Sequence, residues 1–134
     1  VDLTAVSTEY ELESVKSASD KIKDNYPRKI FRDVKFSNNL NPPSPSAPSH
    51  NGVFRKFGVE GNEPIQVENI FKYCDLIYSS YGIMTLHNGA SHLSCAIKEY
   101  NEELLSFCLI PEGQFKNNKQ DAAFIFDNIN YIMV

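Results

Sequence analysis

Residues that could hold a ligand or move a proton are concentrated between positions 79 and 92 of this 134-residue chain. This stretch contains hydroxyl side chains, glycines and one carboxamide. Some of them come before a helical pattern, and the others lie in its first turn. The N-terminus of a helix carries partial positive charge and binds phosphate or carboxylate without a charged side chain. The candidate ligand-binding residues are therefore Ser80, Gly82, Thr85, Asn88, Gly89 and Ser91.

Two imidazoles in the same stretch, His87 and His92, are the candidate catalytic residues. Imidazole titrates near neutral pH, so such a pair suits general acid–base catalysis. On one helix, residues five apart would point about 140° away from each other. No third metal ligand is marked by spacing, so we predict neither a metal nor a cofactor. Cys95 follows His92 by three residues, but its apolar neighbours favour a packed core thiol over a nucleophile.

The elements expected to position these residues form a strand, a turn, a helix and a second strand. Apolar runs predict the strands at 75–79 and 104–110, and the helical spacing of Leu86, Ala90, Leu93 and Ile97 predicts the crossover helix. This unit predicts a parallel strand pair with the polar turn at the carboxyl edge of the sheet. We therefore expect one small α/β domain over residues 1–134, with a mixed sheet in two or three layers. An α+β fold with the two strands apart is the alternative.

The remaining segments alternate helical and extended patterns. We predict a helix over 9–25 after a capping box at Thr8 and Glu11, and a strand over 30–36. Residues 37–52 are rich in proline and serine, which predicts a long loop. Further predictions are a strand at 53–59, a helix from 62 to 74, a polar loop at 111–121, an apolar run at 122–126 and a strand at 129–134.

The composition of the chain limits the kinds of molecule that it is expected to bind. A net charge of −4 and a pI near 5.3 make nucleic acid an unlikely partner and favour a basic protein. No apolar run approaches the roughly 20 residues that span a bilayer, so no membrane span is expected. Three cysteines without a Cys-x-x-Cys pair favour a reducing compartment, and hence the cytoplasm.

Residues 74–98 resemble part of a known family. The run Cys-Asp-Leu-Ile-Tyr-Ser-Ser-Tyr-Gly, followed by His-Asn-Gly-Ala-Ser-His-Leu-Ser-Cys-Ala-Ile-Lys, is similar to the C-terminal nucleotide-sugar domain of GT-B glycosyltransferases. The resemblance implies that Ser80, Gly82, Gly89, Ser91 and His92 hold a donor diphosphate at the helix start. Because the chain is too short for two such domains, it implies half of an enzyme or a domain without catalysis.

These observations leave three functional hypotheses, and they leave open whether the protein is an enzyme. The first is a ligand-binding or transferase-type domain that recognises a phosphorylated molecule or nucleotide sugar at residues 79–92. The second is a non-enzymatic interaction module, such as an accessory, inhibitor or immunity-type protein. The third is a small histidine-dependent nuclease or hydrolase.

Overall fold

The computed structural model describes residues 1–5, 9–37, 55–57, 62–121 and 124–134. The predicted loop at 37–52, apart from Ser37, and the capping residue Thr8 lie outside these ranges. The helices are α1 (Leu12–Asp24), α2 (Ile70–Ser79), α3 (Gly89–Lys98) and α4 (Glu112–Asp121). The strands are β1 (Thr4–Ala5), β2 (Arg32–Phe36), β3 (Arg55–Lys56), β4 (Glu63–Val67), β5 (Gly82–Leu86), β6 (Leu105–Ile110) and β7 (Asn130–Met133).

Parallel pairing dominates the sheet structure. β2 pairs with β4, and β6 lies between β5 and β7, with every one of these pairs parallel. β1 instead pairs antiparallel with the short β3. The predicted α/β class, with a parallel strand–helix–strand unit, is confirmed.

The N-terminal segment, residues 1–5, joins the two parallel groups of strands. On one side, Asp2 bridges Thr85 in parallel, and its amide donates to the Met84 carbonyl at 2.9 Å. On the other side, Val34 N–H donates to the Val1 carbonyl at 2.9 Å, and Val1 N donates to the Arg32 carbonyl at 2.8 Å. These bonds place Val1 between residues 32 and 34 in the pattern of a parallel pair.

The resulting order across the sheet is β4, β2, the N-terminal segment, β5, β6 and β7. The N-terminal segment counts as the first strand of this sheet, and the short antiparallel β3 is left out of the count. The strands then stand, from one edge to the other, third, second, first, fourth, fifth and sixth along the chain. That is the order of a doubly wound Rossmann-type sheet, in which the winding direction reverses between the first and fourth strands. The reversal point therefore lies between the N-terminal segment and β5.

Helices cover both faces of the sheet and bury separate clusters of apolar side chains. On one face, Val15, Ala18 and Ile22 of α1 pack with Met84 and Leu86. The other face buries a second cluster, which includes Tyr73 and Ile77 of α2, Ala90 and Ile97 of α3, and Ile83 of β5. The alternation of Ile83 and Met84 between clusters follows from the two-residue period of a strand. The domain thus has three layers.

Three predicted elements differ in type from those in the structure. Residues 75–79 were predicted as the central strand but belong to α2, and the strand that pairs with β6 is 82–86. Short apolar runs do not separate strands from buried helices; here Tyr73 and Ile77, four apart, form a buried helical face. Asn69 caps α2 by accepting from Lys72 N–H at 2.9 Å.

The predicted helix over 62–74 begins instead as β4. Among the described strands β4 pairs with β2 alone, and such an edge tolerates Pro64, which lacks an amide hydrogen. The predicted polar loop at 111–121 is also wrong, because α4 occupies it. A salt bridge of 2.8 Å between Lys116 and Glu112, one helical turn apart, accompanies this exposed, polar helix. In the described part of the chain, no helix has the length and apolar content to cross a membrane.

Candidate functional site

Asn88 organises the turn between β5 and α3, at the carboxyl edge of the sheet. Its Oδ1 atom accepts from the amides of Ala90 and Ser91 at 2.9 and 3.2 Å, so it is the N-cap of α3. Its Nδ2 atom donates to the Thr4 carbonyl at 2.7 Å, across the point where the strand order reverses. One side chain therefore fixes both the helix start and the spacing between the N-terminal segment and β5.

The two candidate catalytic histidines meet at this turn. The rings of His87 and His92 are stacked, with centroids 5.7 Å apart and planes 25° from parallel. The prediction of imidazoles about 140° apart assumed that both lie on one helix. His87 instead precedes the N-cap, and α3 begins only at Gly89, so the irregular turn brings the rings together.

Hydrogen bonds orient both rings through neutral groups. His92 Nδ1 lies 2.8 Å from the Asn88 carbonyl oxygen, so Nδ1 carries a hydrogen and donates it to that oxygen. In the neutral ring, Nε2 is then the nitrogen without a hydrogen. His87 Nε2 lies 3.4 Å from the Phe124 carbonyl oxygen, and the Gln114 side chain also hydrogen-bonds with this imidazole. These contacts fix the rings without a carboxylate.

Burial lowers the pKa of His87 below its ordinary value of 6.5, and the positive charge of a protonated His92 ring would lower it further. Hydrogen bonds to the Phe124 carbonyl and to Gln114 act in the opposite direction but do not outweigh burial. A histidine with a lowered pKa is neutral at neutral pH. His87 is therefore set up to accept a proton rather than to carry a positive charge.

Tyr10 holds the backbone of His87 in position. Its hydroxyl accepts from His87 N–H at 2.9 Å and donates to the Leu109 carbonyl at 2.9 Å. Burial raises the pKa of this phenol well above its usual value, so it remains a protonated donor. No sequence pattern indicated this role, because Tyr10 lies 77 residues before His87.

Two phenylalanines form an aromatic wall beside His92. The rings of Phe124 and Phe126 meet the imidazole edge-on, with centroids 5.5 and 5.3 Å away. Tyr131 holds this segment, since its hydroxyl accepts from Phe126 N–H at 2.9 Å. The sequence marked residues 122–126 as apolar, but no local pattern connects them with the histidines.

The structure divides the predicted ligand-binding residues. Asn88, Gly89 and Ser91 lie with the two histidines at the carboxyl end of β5, although Ser91 is buried and its hydroxyl donates to the Asn88 carbonyl at 2.7 Å. Ser80 and Gly82 lie at the opposite, amino end of the same strand. At about 3.3 Å per residue, the five residues of β5 separate the two groups by roughly 15 Å.

Structural roles account for three of the predicted residues away from the turn. Thr85 is fully buried within β5. The hydroxyl of Ser80 donates to the Leu76 carbonyl at the end of α2. A side chain at Gly82 would lie 2.9 Å from the carbonyl oxygen of Leu105, so close packing of β5 on β6 requires glycine there.

Beneath α3, small polar side chains allow the helix to pack closely on β5 and β6. Ser94 and Ser106 are fully buried, and their hydroxyl oxygens lie 2.8 Å apart. Burial raises the pKa of Cys108 to about 12, despite hydrogen bonds from Thr85 and Ser91. Burial also raises the pKa of Cys95, which hydrogen-bonds with Asn128. A raised pKa keeps a thiol in its protonated, weakly nucleophilic form, so neither shift activates these cysteines at neutral pH.

Within the described ranges, no group of three or more His, Cys, Asp or Glu residues is arranged to hold a metal ion. The chemistry of the turn therefore consists of two imidazoles, a helix N-terminus and an aromatic wall. Comparisons with protein-family models, with curated proteins and with solved structures each find no match to this chain.

Proposed function

We propose that the chain binds a phosphorylated ligand of the nucleotide-sugar type at the turn that contains His87 and His92. One observation carries the proposal: the stacked imidazoles lie at the carboxyl end of β5, beside the point where the strand order reverses. Open α/β sheets bind their ligands at that point. The resemblance of residues 74–98 to a donor-binding domain supports the same class of ligand.

An anion at this turn would be held mainly by His92. The amides of Ala90 and Ser91 already donate to Asn88, so they are not available unless the cap opens. With Nδ1 of His92 committed to the Asn88 carbonyl, Nε2 is the atom that would donate to a phosphate oxygen when the ring is protonated. The partial positive charge at the start of α3 adds to this attraction.

His87 supplies the proton-accepting group of the proposed site. Its neutral imidazole is the group that would accept a proton from an attacking hydroxyl in a transfer reaction. A bound phosphate would place negative charge near this ring and favour its protonated form, because an opposite charge nearby stabilises the charged state. The expected signature of binding is thus a rise in the pKa of His87.

Proton NMR of the imidazole C2–H signals tests the proposal. Uridine diphosphate, adenosine diphosphate and inorganic phosphate are titrated separately, and each pH titration is repeated at saturation. We expect the His87 and His92 signals to move and the His87 pKa to rise. His92→Gln should abolish the response, whereas His50→Gln makes the same chemical change within the proline-rich segment and should preserve it. If neither signal moves at millimolar ligand, the proposal is refuted.

A second candidate function, protein–protein interaction, has support from the outer surface of α2. Ile70, Phe71 and Tyr78 are 56%, 77% and 52% exposed, which is high for large apolar side chains. Contiguous exposed apolar surface is typical of interaction sites. The acidic net charge favours a basic partner.

Copurification from the native source at low salt tests this second candidate. Phe71→Ser should release a partner that the wild type retains. Tyr100→Ser is the control, since it removes an equally exposed aromatic ring beyond the end of α3. Recovery of the same proteins with the wild type and with Phe71→Ser would count against an α2 interface.

A further inference from the structure

A second concave site lies at the opposite edge of the sheet from the histidines. It is a cavity of about 240 Å³ at the amino ends of β2 and β5, and it is independent of the proposed phosphate site. Side chains from both faces of the sheet line its interior. The apolar lining includes Ile22, Val34, Ile77, Ile83, Met84 and Phe107.

The charged lining of this cavity has one sign. Lys29 and Arg32 are exposed cations that line it, and none of its lining residues is Asp or Glu. Lys29 Nζ lies 3.7 Å from the centroid of the Tyr81 ring, which keeps the ammonium group at the edge of the cavity.

The ion-pairing state of these cations leaves them available to an anion. A salt bridge joins Lys116 and Glu112, but no described carboxylate neutralises Lys29 or Arg32. An apolar interior beside unpaired cations is complementary to a molecule with an apolar body and an anionic head. Ligand sites commonly combine a largely apolar lining with a few such charged groups.

The volume limits the size of that molecule. A dry protein cavity of 150 Å³ accommodates benzene, so 240 Å³ has room for roughly ten non-hydrogen atoms. We propose that this cavity binds a small anionic amphiphile, namely an alkyl carboxylate of about eight carbons. Its chain packs among Ile83, Met84 and the neighbouring apolar residues, and its carboxylate meets Lys29 and Arg32.

The probes are octanoate and 1-octanol, which share an alkyl chain but differ in the charge of the head group. Binding is followed by NMR of isotopically labelled isoleucine and methionine methyl groups. Signals of Ile22, Ile83 and Met84 report on the cavity. Signals of Ile110 and Ile129, buried in a separate cluster between β6 and β7, serve as internal controls.

We expect octanoate to shift the cavity methyl signals saturably at submillimolar to millimolar concentration and to bind about fivefold more tightly than octanol. Lys29→Gln and Arg32→Gln should each reduce this preference for the anion without changing octanol binding. Lys35→Gln, which removes an exposed charge from the same strand outside the cavity, should have no effect. Amide spectra of each variant check that the fold is intact.

Two results would overturn the inference. If millimolar octanoate leaves the cavity methyl signals unchanged, or moves the control signals equally, the cavity is not a binding site for this ligand. If octanoate and octanol bind equally well and Arg32→Gln makes no difference, the anionic part of the proposal is wrong.

Discussion

Replacement of Tyr10 by phenylalanine should destabilise the protein and disturb the histidine turn together. The hydroxyl that is lost makes two hydrogen bonds of 2.9 Å, to His87 N–H and to the Leu109 carbonyl, at a side chain only 5% exposed. Each such bond contributes about 0.5–1.5 kcal/mol net, so the pair predicts a loss of about 1–3 kcal/mol in the free energy of unfolding. The ring remains and keeps its contact with Phe57.

Urea unfolding and a thermal melt measure this loss. For a chain of this size, about 1–3 kcal/mol corresponds to a fall in Tm of roughly 3–15 °C. Tyr78→Phe is the matched control, because that ring is half exposed and its change should cost less than about 0.5 kcal/mol. In the amide spectrum, the His87 signal should move in Tyr10→Phe and not in the control. If both variants are equally stable, the hydroxyl does not hold the turn.

Three further predictions concern the pH dependence of stability, the cap of α3 and the buried thiol. Because the pKa of His87 is lowered on folding, the unfolded chain binds more protons between the folded-state pKa and 6.5; the free energy of unfolding should therefore fall as the pH drops through that window, and His87→Gln should flatten this dependence in urea titrations at several pH values. Asn88→Ala should cost about 1–2 kcal/mol in thermal melts, whereas Asn88→Ser, which keeps a capping oxygen without placing a carboxylate against the Thr4 carbonyl, should cost less; equal losses would contradict the capping role. Cys108 should resist alkylation at pH 8 in the folded protein and react after denaturation, while the partly exposed Cys74 should react first; rapid labelling of Cys108 in mass spectra of the native protein would contradict its burial.

Local patterns predicted the elements whose apolar spacing was unambiguous. The amphipathic helix α1 was expected over 9–25 and occupies Leu12–Asp24, and β6 was expected at 104–110 and occupies Leu105–Ile110. α3 followed from the spacing of Ala90, Leu93 and Ile97, although Leu86, which belonged to the same predicted pattern, lies in β5. In these segments the side chains that face the core recur at the period of the element itself, so the sequence carries the information directly.

Contacts between distant parts of the chain explain two of the differences from the predicted fold. The run from Ile70 to Ser79 is apolar on several sides, and tertiary packing of Tyr73 and Ile77 decides that it is a helix. The sequence also did not indicate that the N-terminal segment lies in the middle of the sheet, because two short stretches of backbone hydrogen bonds define that position. Such nonlocal pairing leaves no periodic signal in five residues.

Sequence patterns predicted only part of the candidate site. Residue types located the turn that contains His87, Asn88 and His92, but the position of the strand decided which neighbours belong with it. Because β5 occupies 82–86 rather than 75–79, Ser80 and Gly82 lie at its amino end, at the opposite edge of the sheet from the histidines. Tyr10 and the aromatic wall reach the histidines from distant parts of the chain, and only the fold connects them.

The most direct test of the proposed site is a map of backbone amide shifts across the whole chain during titration with uridine diphosphate. Binding at the carboxyl edge predicts that the shifted amides cluster at Thr4, at residues 87–92 and at residues 124–126, on both sides of the point where the strand order reverses. The amides of residues 80–82, at the opposite end of β5, should stay unchanged. Shifts centred on residues 80–82, or no shifts at millimolar ligand, would contradict a phosphate-binding site at the histidine pair.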